Sequence, residues 1–450
     1  MNRVSRVTGV RMVVRARVLA ALAMAAVLLA GALTACTAPR DDQTLTYWAS
    51  NQGASAAQDL EILRPELDKF TARTGIEVDV EVIAWSDLLN RILGAATSGV
   101  GPDVVNLGNT WSASLQATGA FVTFDDEVMR RLGGRDRFVA SSMTSTGMAG
   151  REPSSVPLYG LSYGLFYNKR LFAEAGITTP PRTWAEFLDA ARRLTDPARD
   201  RRGLVLAGAS YTENAHFAFI FGRQHGTHFI DEQGRATFTS PPAIDAVQRY
   251  VGLMSEHGVV EADDAEIGTT SEAVSEFTNG RAAMLIAQNS AIAAMRSNGM
   301  PDDAYGVAPM PVPDPLPSGG QAVRSHVAGS NIAVFADSPK REQALRLVEF
   351  LTSAEEQRVL NGAYGTLPVV RDAYDDPAFR SPTNETFAGV LARNSEPMPM
   401  IPAESRFETT IGAAIRDLFA RAATGQPVRR EDVREALADA EQKMNGSGGG

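Results

Sequence analysis

Cysteine is almost missing from this chain: among 450 residues there is only Cys36. An intramolecular disulfide and a cysteine-based zinc or iron–sulfur site are thereby excluded. Positive charge is also short. The formal net charge is −10, and such a surface repels phosphates, so no nucleic-acid partner is expected. Beyond Ala35 no run stays apolar for the roughly 18 residues of a membrane-spanning helix. No internal repeat is visible, and low complexity is confined to the tail 446–450, GSGGG. The short signatures of catalysis are absent as well: there is no phosphate loop, no G-x-S-x-G elbow, no H-E-x-x-H and no G-x-G-x-x-G. His216, His225 and His228 fall close together, but their spacing does not suit one helical face and no acidic cluster completes a metal site. The adjacent acids Asp125-Asp126-Glu127, Asp263-Asp264 and Asp375-Asp376 point in different directions and read as solvated turns. The expectation is a protein that is not an enzyme and holds no cofactor and no metal. A secreted hydrolase, with two carboxylates meeting from distant parts of the chain, is kept as the lesser alternative.

Apolar residues make up 44% of the chain and charged residues 21%, enough for large buried cores, and the length suggests two or three domains. Charge is unevenly placed. Residues 1–35 hold five arginines (Arg3, Arg6, Arg11, Arg15, Arg17) and no acid, so the remainder carries −15 against the whole chain's −10. The basic stretch leads into Val18–Ala32, an uncharged run that reaches roughly 22 Å as a helix, short of the ~30 Å hydrocarbon core. This reads as a secretory signal over 1–35. It ends in Leu33-Thr34-Ala35-Cys36, which resembles the bacterial lipoprotein box, whose cysteine is lipidated and becomes the first residue. Residues 36–43 then form a lipidated tether, and the protein is anchored to a membrane rather than spanning it.

Strand and helix patterns alternate. Leu45–Trp48 is a short β-rich run. Leu60, Leu63, Leu67 and Phe70 fall at helical spacing within 55–74, with Pro65 as a kink or restart. Glu77–Ile83 alternates like a half-buried strand, Ser86 is placed to cap the next helix, and Asp103–Leu107 is another strand. This order predicts an α/β lobe with a mainly parallel sheet. The pattern recurs: Thr183 to Glu186 is a capping box for a helix to Leu194, and Ala282–Ala287 is a strand. Ser338-Pro339 opens a helix over 340–351, and the last helix covers 429–444.

Several segments, in order, resemble the extracellular solute-binding proteins of bacterial ABC importers, in the carbohydrate-binding group that includes the maltose-binding proteins. They are Leu45–Trp48 with Phe70–Val78, Gly101–Val105, Leu115–Phe121, and Tyr159-Gly160 through Leu165-Phe166-Tyr167-Asn168-Lys169. Phe277–Met284 and Gly365–Val369 complete the series. The likeness spans about 43–440, and its strength lies in order and spacing. It implies an α/β, two-lobed periplasmic-binding-protein-like fold with a hinge and an interlobe cleft. Lobe one would be 42–157 plus 329–374, lobe two 158–328 plus 375–445, and 446–450 a flexible tail. It implies that a monomer, lipid-anchored at the extracellular face of the cytoplasmic membrane, binds a mono- or oligosaccharide. The sugar would pass to ABC permease subunits that work with a cytoplasmic ATPase. The same fold with another small solute, such as a glycerophosphodiester or a polyamine, is the alternative.

A sugar site needs aromatic platforms for C–H faces, and carboxylates, amides or arginine for hydroxyls. Such groups collect in loops after strands. In lobe one the candidates are Ser50, Asn51 and Gln52 after the first strand, and Asn109 and Trp111 after the DVVNL strand. Trp85 is either a platform or a hydrophobic staple. In lobe two they are Glu213 and Asn214 in YTENAH, Asn289 after AAMLIA, His326 in the segment resembling the hinge, and Glu404, Arg406 and Glu408. Relatives often carry an aromatic at the Asn289 position and near Glu408; this chain has neither. Trp184 and Tyr167 read as structural.

Overall fold

The computed structural model describes residues 44–231 and 233–446. The expected signal, Cys36 with its tether, and 447–450 of the tail lie outside the described residues. Two separate sheets organise the rest. In the first, the order is β2 (Val78–Ile83), β1 (Leu45–Ser50), β3 (Val104–Gly108), β10 (Ala328–Val334) and β4 (Val156–Leu161). β1 pairs in parallel with β2 (Leu45 opposite Val78) and with β3, while β10 runs antiparallel to both its neighbours. Every residue of β3 is buried, as a strand covered on both faces requires. In the second sheet the order is β6 (Arg202–Val205), β7 (Ala282–Gln288), β5 (Tyr163–Asn168) and β8 (Tyr305–Ala308).

The parallel expectation holds for β1, β2 and β3 and fails in the second sheet, where only β6 and β7 are parallel. The reason is connectivity. β4 and β5 are separated by Ser162 alone, so β5 enters directly from the other sheet rather than through a βαβ crossover.

Helices longer than ten residues are numbered in chain order. Around the first sheet lie α1 (Ala56–Thr74), α2 (Trp85–Ser98), α6 (Arg341–Leu351) and α7 (Ala354–Tyr364). Around the second lie α3 (Trp184–Leu194), α4 (Tyr211–His225), α5 (Pro241–Ser255), α8 (Pro382–Arg393), α9 (Glu404–Ala423) and α10 (Arg430–Gly446). One apolar core joins Tyr47, Leu67, Phe70, Phe138, Val334, Leu351 and Tyr364. Another joins Leu165, Phe187, Phe217, Tyr250, Ile411, Phe419 and Leu437. Each core thus draws on two distant stretches of chain, and the chain passes between them more than once.

Local expectations meet the structure unevenly. The Thr183/Glu186 capping box forms on α3. α1 is one continuous helix through Pro65; the missing N–H breaks one backbone bond, not the helix. Ser86 is not a cap, because α2 begins at Trp85 with Ala84 as N-cap. Nor does Ser338 cap α6. Its hydroxyl donates to buried Asp103 at 2.6 Å, and the helix starts at Arg341. Trp184 is buried, stacks on Phe221 and donates to Gln224 at 2.8 Å, as a structural tryptophan does. Tyr167, half-buried, packs on Phe172.

Candidate functional site

Between the two cores lies a seam of buried polar side chains. It starts where β3 ends. Asn109, Thr110 and Trp111 form a single 3-10 turn, from which Thr110 and Trp111 reach the first turns of α9. α9 approaches closely because it carries Gly412 where it crosses α4; a Cβ there would stand 2.0 Å from the Tyr211 carbonyl oxygen. On α9, Glu404 and Glu408 are four residues apart and share one face. Both are fully buried.

Glu408 is saturated. Its carboxylate accepts the indole N–H of Trp111 at 2.6 Å, the hydroxyl of Thr110 at 3.2 Å and Nε2 of His216 at 3.0 Å. On the other side of that imidazole, Nδ1 lies 2.9 Å from the Tyr163 hydroxyl. One assignment satisfies the whole chain of bonds: Tyr163 O–H donates to Nδ1, and Nε2–H donates to Glu408. A second link to α9 is the hydroxyl contact of Ser114, in the short helix Ser112–Ala117 that follows the turn, with Ser405. Asn109 donates to Ser145 Oγ and to the Val327 carbonyl, each at 2.8 Å.

Beside this saturated group are two that have no hydrogen-bond partner among the described residues: both carboxylate oxygens of Glu404, and both ring nitrogens of His326. His326 is 1% exposed and its ring stacks against that of His216, with centroids 4.0 Å apart. Burial, with a smaller contribution from Glu408, pushes the Glu404 carboxyl well above the usual carboxylate range. Burial, with His216 next to it, holds His326 well below the ordinary histidine value and so neutral. The Arg406 Nε is likewise buried without a partner.

The other candidates sit at varying distance from this seam. Trp85 is half-buried and meets Trp111 edge-on at 5.6 Å. Glu213, one helical turn before His216, bonds Thr270, and burial raises its carboxyl. Asn214 is committed inside the second core, donating to Gly208 O and accepting from Tyr250. Asn289 is equally committed: it accepts from the Ser162 N–H and donates to Gly365 O, each at 2.9 Å. Ser50, Asn51 and Gln52 form a network with Asp59, Asn106 and Ser330. Residues that sequence reasoning passed over are Thr110, Tyr163 and His216. The last was weighed only as a metal ligand, although its place one turn after Glu213 was a signal. His225 turns instead to the Phe221 carbonyl at 2.7 Å, and His228 is exposed. Among the described residues no group of three or more His, Cys, Asp or Glu is arranged to hold a metal ion. Three surface hollows of about 410 to about 500 Å³ are lined by other residues.

The model of the bacterial extracellular solute-binding protein family matches residues 53–358. The diacetylchitobiose binding protein DasA of Streptomyces coelicolor is 22% identical over 375 residues, covering 78% of this chain and 81% of that protein. An sn-glycerol-3-phosphate-binding periplasmic protein of Rhizobium meliloti is 23% identical over 346 residues, covering 74% and 76%. Among solved structures, a solute-binding protein of Thermotoga lettingae bound with α-D-tagatose superposes with a TM-score of 0.76 at 21% identity, covering 89% of this chain and all of that one. One of Agrobacterium radiobacter in complex with ribitol gives 0.75 at 22% identity, covering 91% and 100%. The shared architecture is the two-lobed α/β fold with its two sheets.

Proposed function

From its place among the bacterial extracellular solute-binding proteins of ABC transporters, the family to which this chain belongs, we propose that it captures a mono- or oligosaccharide in the seam between its lobes. The observation that supports this reading is a pair of fully buried polar side chains, Glu404 and His326, without partners at the junction of two apolar cores. Unpaired buried polar groups are costly unless something bonds them, and a polyhydroxylated ligand supplies donors and acceptors together. Lobe one is taken as 42–157 plus 329–374, and lobe two as 158–328 plus 375–445. Asn109, Trp111 and Trp85 face the ligand from the first, and Glu404, Arg406 and His326 from the second. Glu408 ties the lobes together. Asn214 and Asn289, with their amides engaged inside the chain, shape the walls. Contact with both lobes makes closure a population shift toward the bound form. No bond of the ligand is made or broken.

Lipidation at Cys36 would hold the protein at the outer face of the cytoplasmic membrane, within reach of permease subunits. Cys36→Ser should release it from the membrane fraction, and retention of that variant would overturn the anchor. For the ligand, calorimetry against a panel of glycans and polyols, checked by thermal shift, should find binding without product formation. No sugar binding alongside tight binding of another solute class would overturn the sugar assignment, and turnover would favour a hydrolase. A glycerophosphodiester is the second reading, favoured by the unpartnered Nε of Arg406. The two buried carboxyls of the seam, Glu404 and Glu408, weigh against an anion.

A further inference from the structure

Buried acids elsewhere in this protein have a cation, several donors, or a neighbouring acid that a lysine serves: Glu356, whose own oxygens are unpartnered, lies beside Glu66 and near Lys69. Asp103 faces Lys340 at 3.4 Å, Asp264 faces Arg202 at 3.3 Å, and Glu66 pairs with Lys69. Asp59 accepts the backbone N–H groups of Gln52 and Gly53 as well as the Asn51 amide. The seam departs from this pattern. Glu404 and Glu408 are both fully buried on one face of α9, and among the described residues neither pairs with a lysine or arginine. Glu408 receives only an indole N–H, a hydroxyl and an imidazole. Glu404 receives nothing. His326, the other unpartnered group, is neutral and contributes no positive charge.

The missing element is therefore a compact cation with several donors. Resting on the solute-binding reading above, the geometry points to a ligand that presents a protonated amine to Glu404, an aminated sugar rather than a purely hydroxylated one. An ammonium group brings one positive charge and three N–H donors. Glu404 offers two oxygens, the neutral ring of His326 offers an accepting nitrogen in the same seam, and the Glu408 carboxyl lies one helical turn away. A hydroxyl at the same place supplies one donor and no charge, leaving one Glu404 oxygen without a donor. An acetamido group adds bulk and also lacks the charge. Glu404 is thus a specificity-determining residue: it selects the substituent, while the rest of the seam holds the ring.

The test compares three disaccharides with one β-1,4 backbone that differ at position 2: chitobiose with free amines, N,N′-diacetylchitobiose, and cellobiose. Calorimetry on the wild-type chain should show the free amine binding at least tenfold more tightly than either neutral analogue. Glu404→Gln should remove that preference, so that the free amine binds no more tightly than cellobiose to the variant. Equal or tighter binding of either neutral disaccharide by the wild-type protein overturns the inference, and leaves the sugar reading standing. Failure of all three to bind also overturns it; the sugar reading falls only if the wider glycan and polyol panel fails too. The wild-type comparison does not depend on whether the variant folds. If the variant does fold and keeps its amine preference, Glu404 is not the selecting group.

Discussion

Replacing Glu408 by alanine should open the protein. In the closed arrangement Glu408 accepts Trp111 Nε1–H at 2.6 Å, Thr110 Oγ1 at 3.2 Å and His216 Nε2 at 3.0 Å, all inside a buried seam. Removing the carboxylate strands at least two donors, the indole and imidazole N–H groups, where water does not reach them. A buried unsatisfied donor costs about 1–3 kcal/mol, so the closed form loses about 2–6 kcal/mol. In the open form both donors meet water and nothing is lost. The closed-to-open ratio should then fall by a factor of roughly 30 at the low end and more than 10,000 at the high end. Apparent ligand affinity should fall with it, because only the closed fraction is competent to hold ligand. Glu408→Gln is the milder variant. Its amide oxygen still accepts from Trp111, but its NH2 faces the His216 N–H, so roughly one bond is lost and the shift is roughly 5-fold to 150-fold. Single-molecule energy transfer between labels at the exposed positions Val100 and Ser297 reads the two populations directly. An unchanged distance distribution in Glu408→Ala, with unchanged ligand affinity, would refute the idea that this carboxylate holds the lobes together.

Other expectations follow from separate parts of the molecule. Glu356 is fully buried beside Glu66, with both its oxygens unpartnered, and burial with that neighbouring acid pushes its pKa up to about 8 from the ordinary 4.5. An acid whose folded value is raised costs nothing below about pH 4.5. It destabilises progressively as pH rises toward 8, by about 1.4 kcal/mol per unit at most and less where Glu66 shares the proton. Glu356→Gln should therefore gain a few kcal/mol at pH 8, gain almost nothing at pH 4, and flatten the stability profile between them in urea titrations; a profile parallel to wild type would contradict this. Gly412→Ala places a Cβ 2.0 Å from the Tyr211 carbonyl oxygen and should cost about 1–3 kcal/mol by forcing α9 off α4, read as a lower denaturation midpoint. Asn109→Ala removes donors to Ser145 and Val327 O and should cost about 1–3 kcal/mol, with weaker ligand binding as the accompanying sign.

What was legible in the sequence was what neighbouring residues decide. The strand at 104–108, the capping box at Thr183 and the strand at 282–288 follow from period and local hydrogen bonding, and appear within a residue or two of their expected limits. The misplacements have a common cause in partners from elsewhere in the chain. Ser338 looks like a helix cap until Asp103, far away in sequence, takes its hydroxyl. The second sheet looks parallel until Ser162 is seen to pass β4 straight into β5. The seam shows the same division. Spacing alone places Glu404 and Glu408 on one face of a helix, and a strand end suggests Asn109 and Trp111. Nothing local says that Trp111 and Glu408, 297 residues apart, will meet, or that Glu408 will be saturated while Glu404 is left bare. His216 was misjudged because it was weighed with His225 and His228, further along the sequence, whereas its neighbours in space are Tyr163, His326 and Glu408.

The connections between the sheets explain why the unpartnered groups lie where they do. β4 and β5 are joined by Ser162, and β9 (Ser325–His326) is joined to β10 by Val327. These links are short, buried and cross-tied: Ser162 Oγ donates to Phe387 O at 2.9 Å, the Tyr163 N–H donates to Ser325 Oγ at 3.0 Å, and Val327 N–H donates to Glu396 O at 2.7 Å. Between rigid sheets, these links are where two of the crossings absorb a rotation between the cores. His326 sits on one such link. Glu404 starts the helix that follows β11 (Ser395–Glu396), the strand paired with β9. Both residues belong to the second lobe, so a ligand that bonds Glu404 and His326 is held beside the joint, where contact with Asn109 and Trp111 would draw the first lobe onto it. Its binding energy acts where a small change in backbone angle gives the largest movement of the lobes. Mutations at Val327 that keep it apolar but alter its size, such as Val327→Ile, should for that reason change ligand dissociation rates more than they change unfolding stability, a ratio that stopped-flow and urea titration measure side by side. Equal effects on both would place the pivot elsewhere.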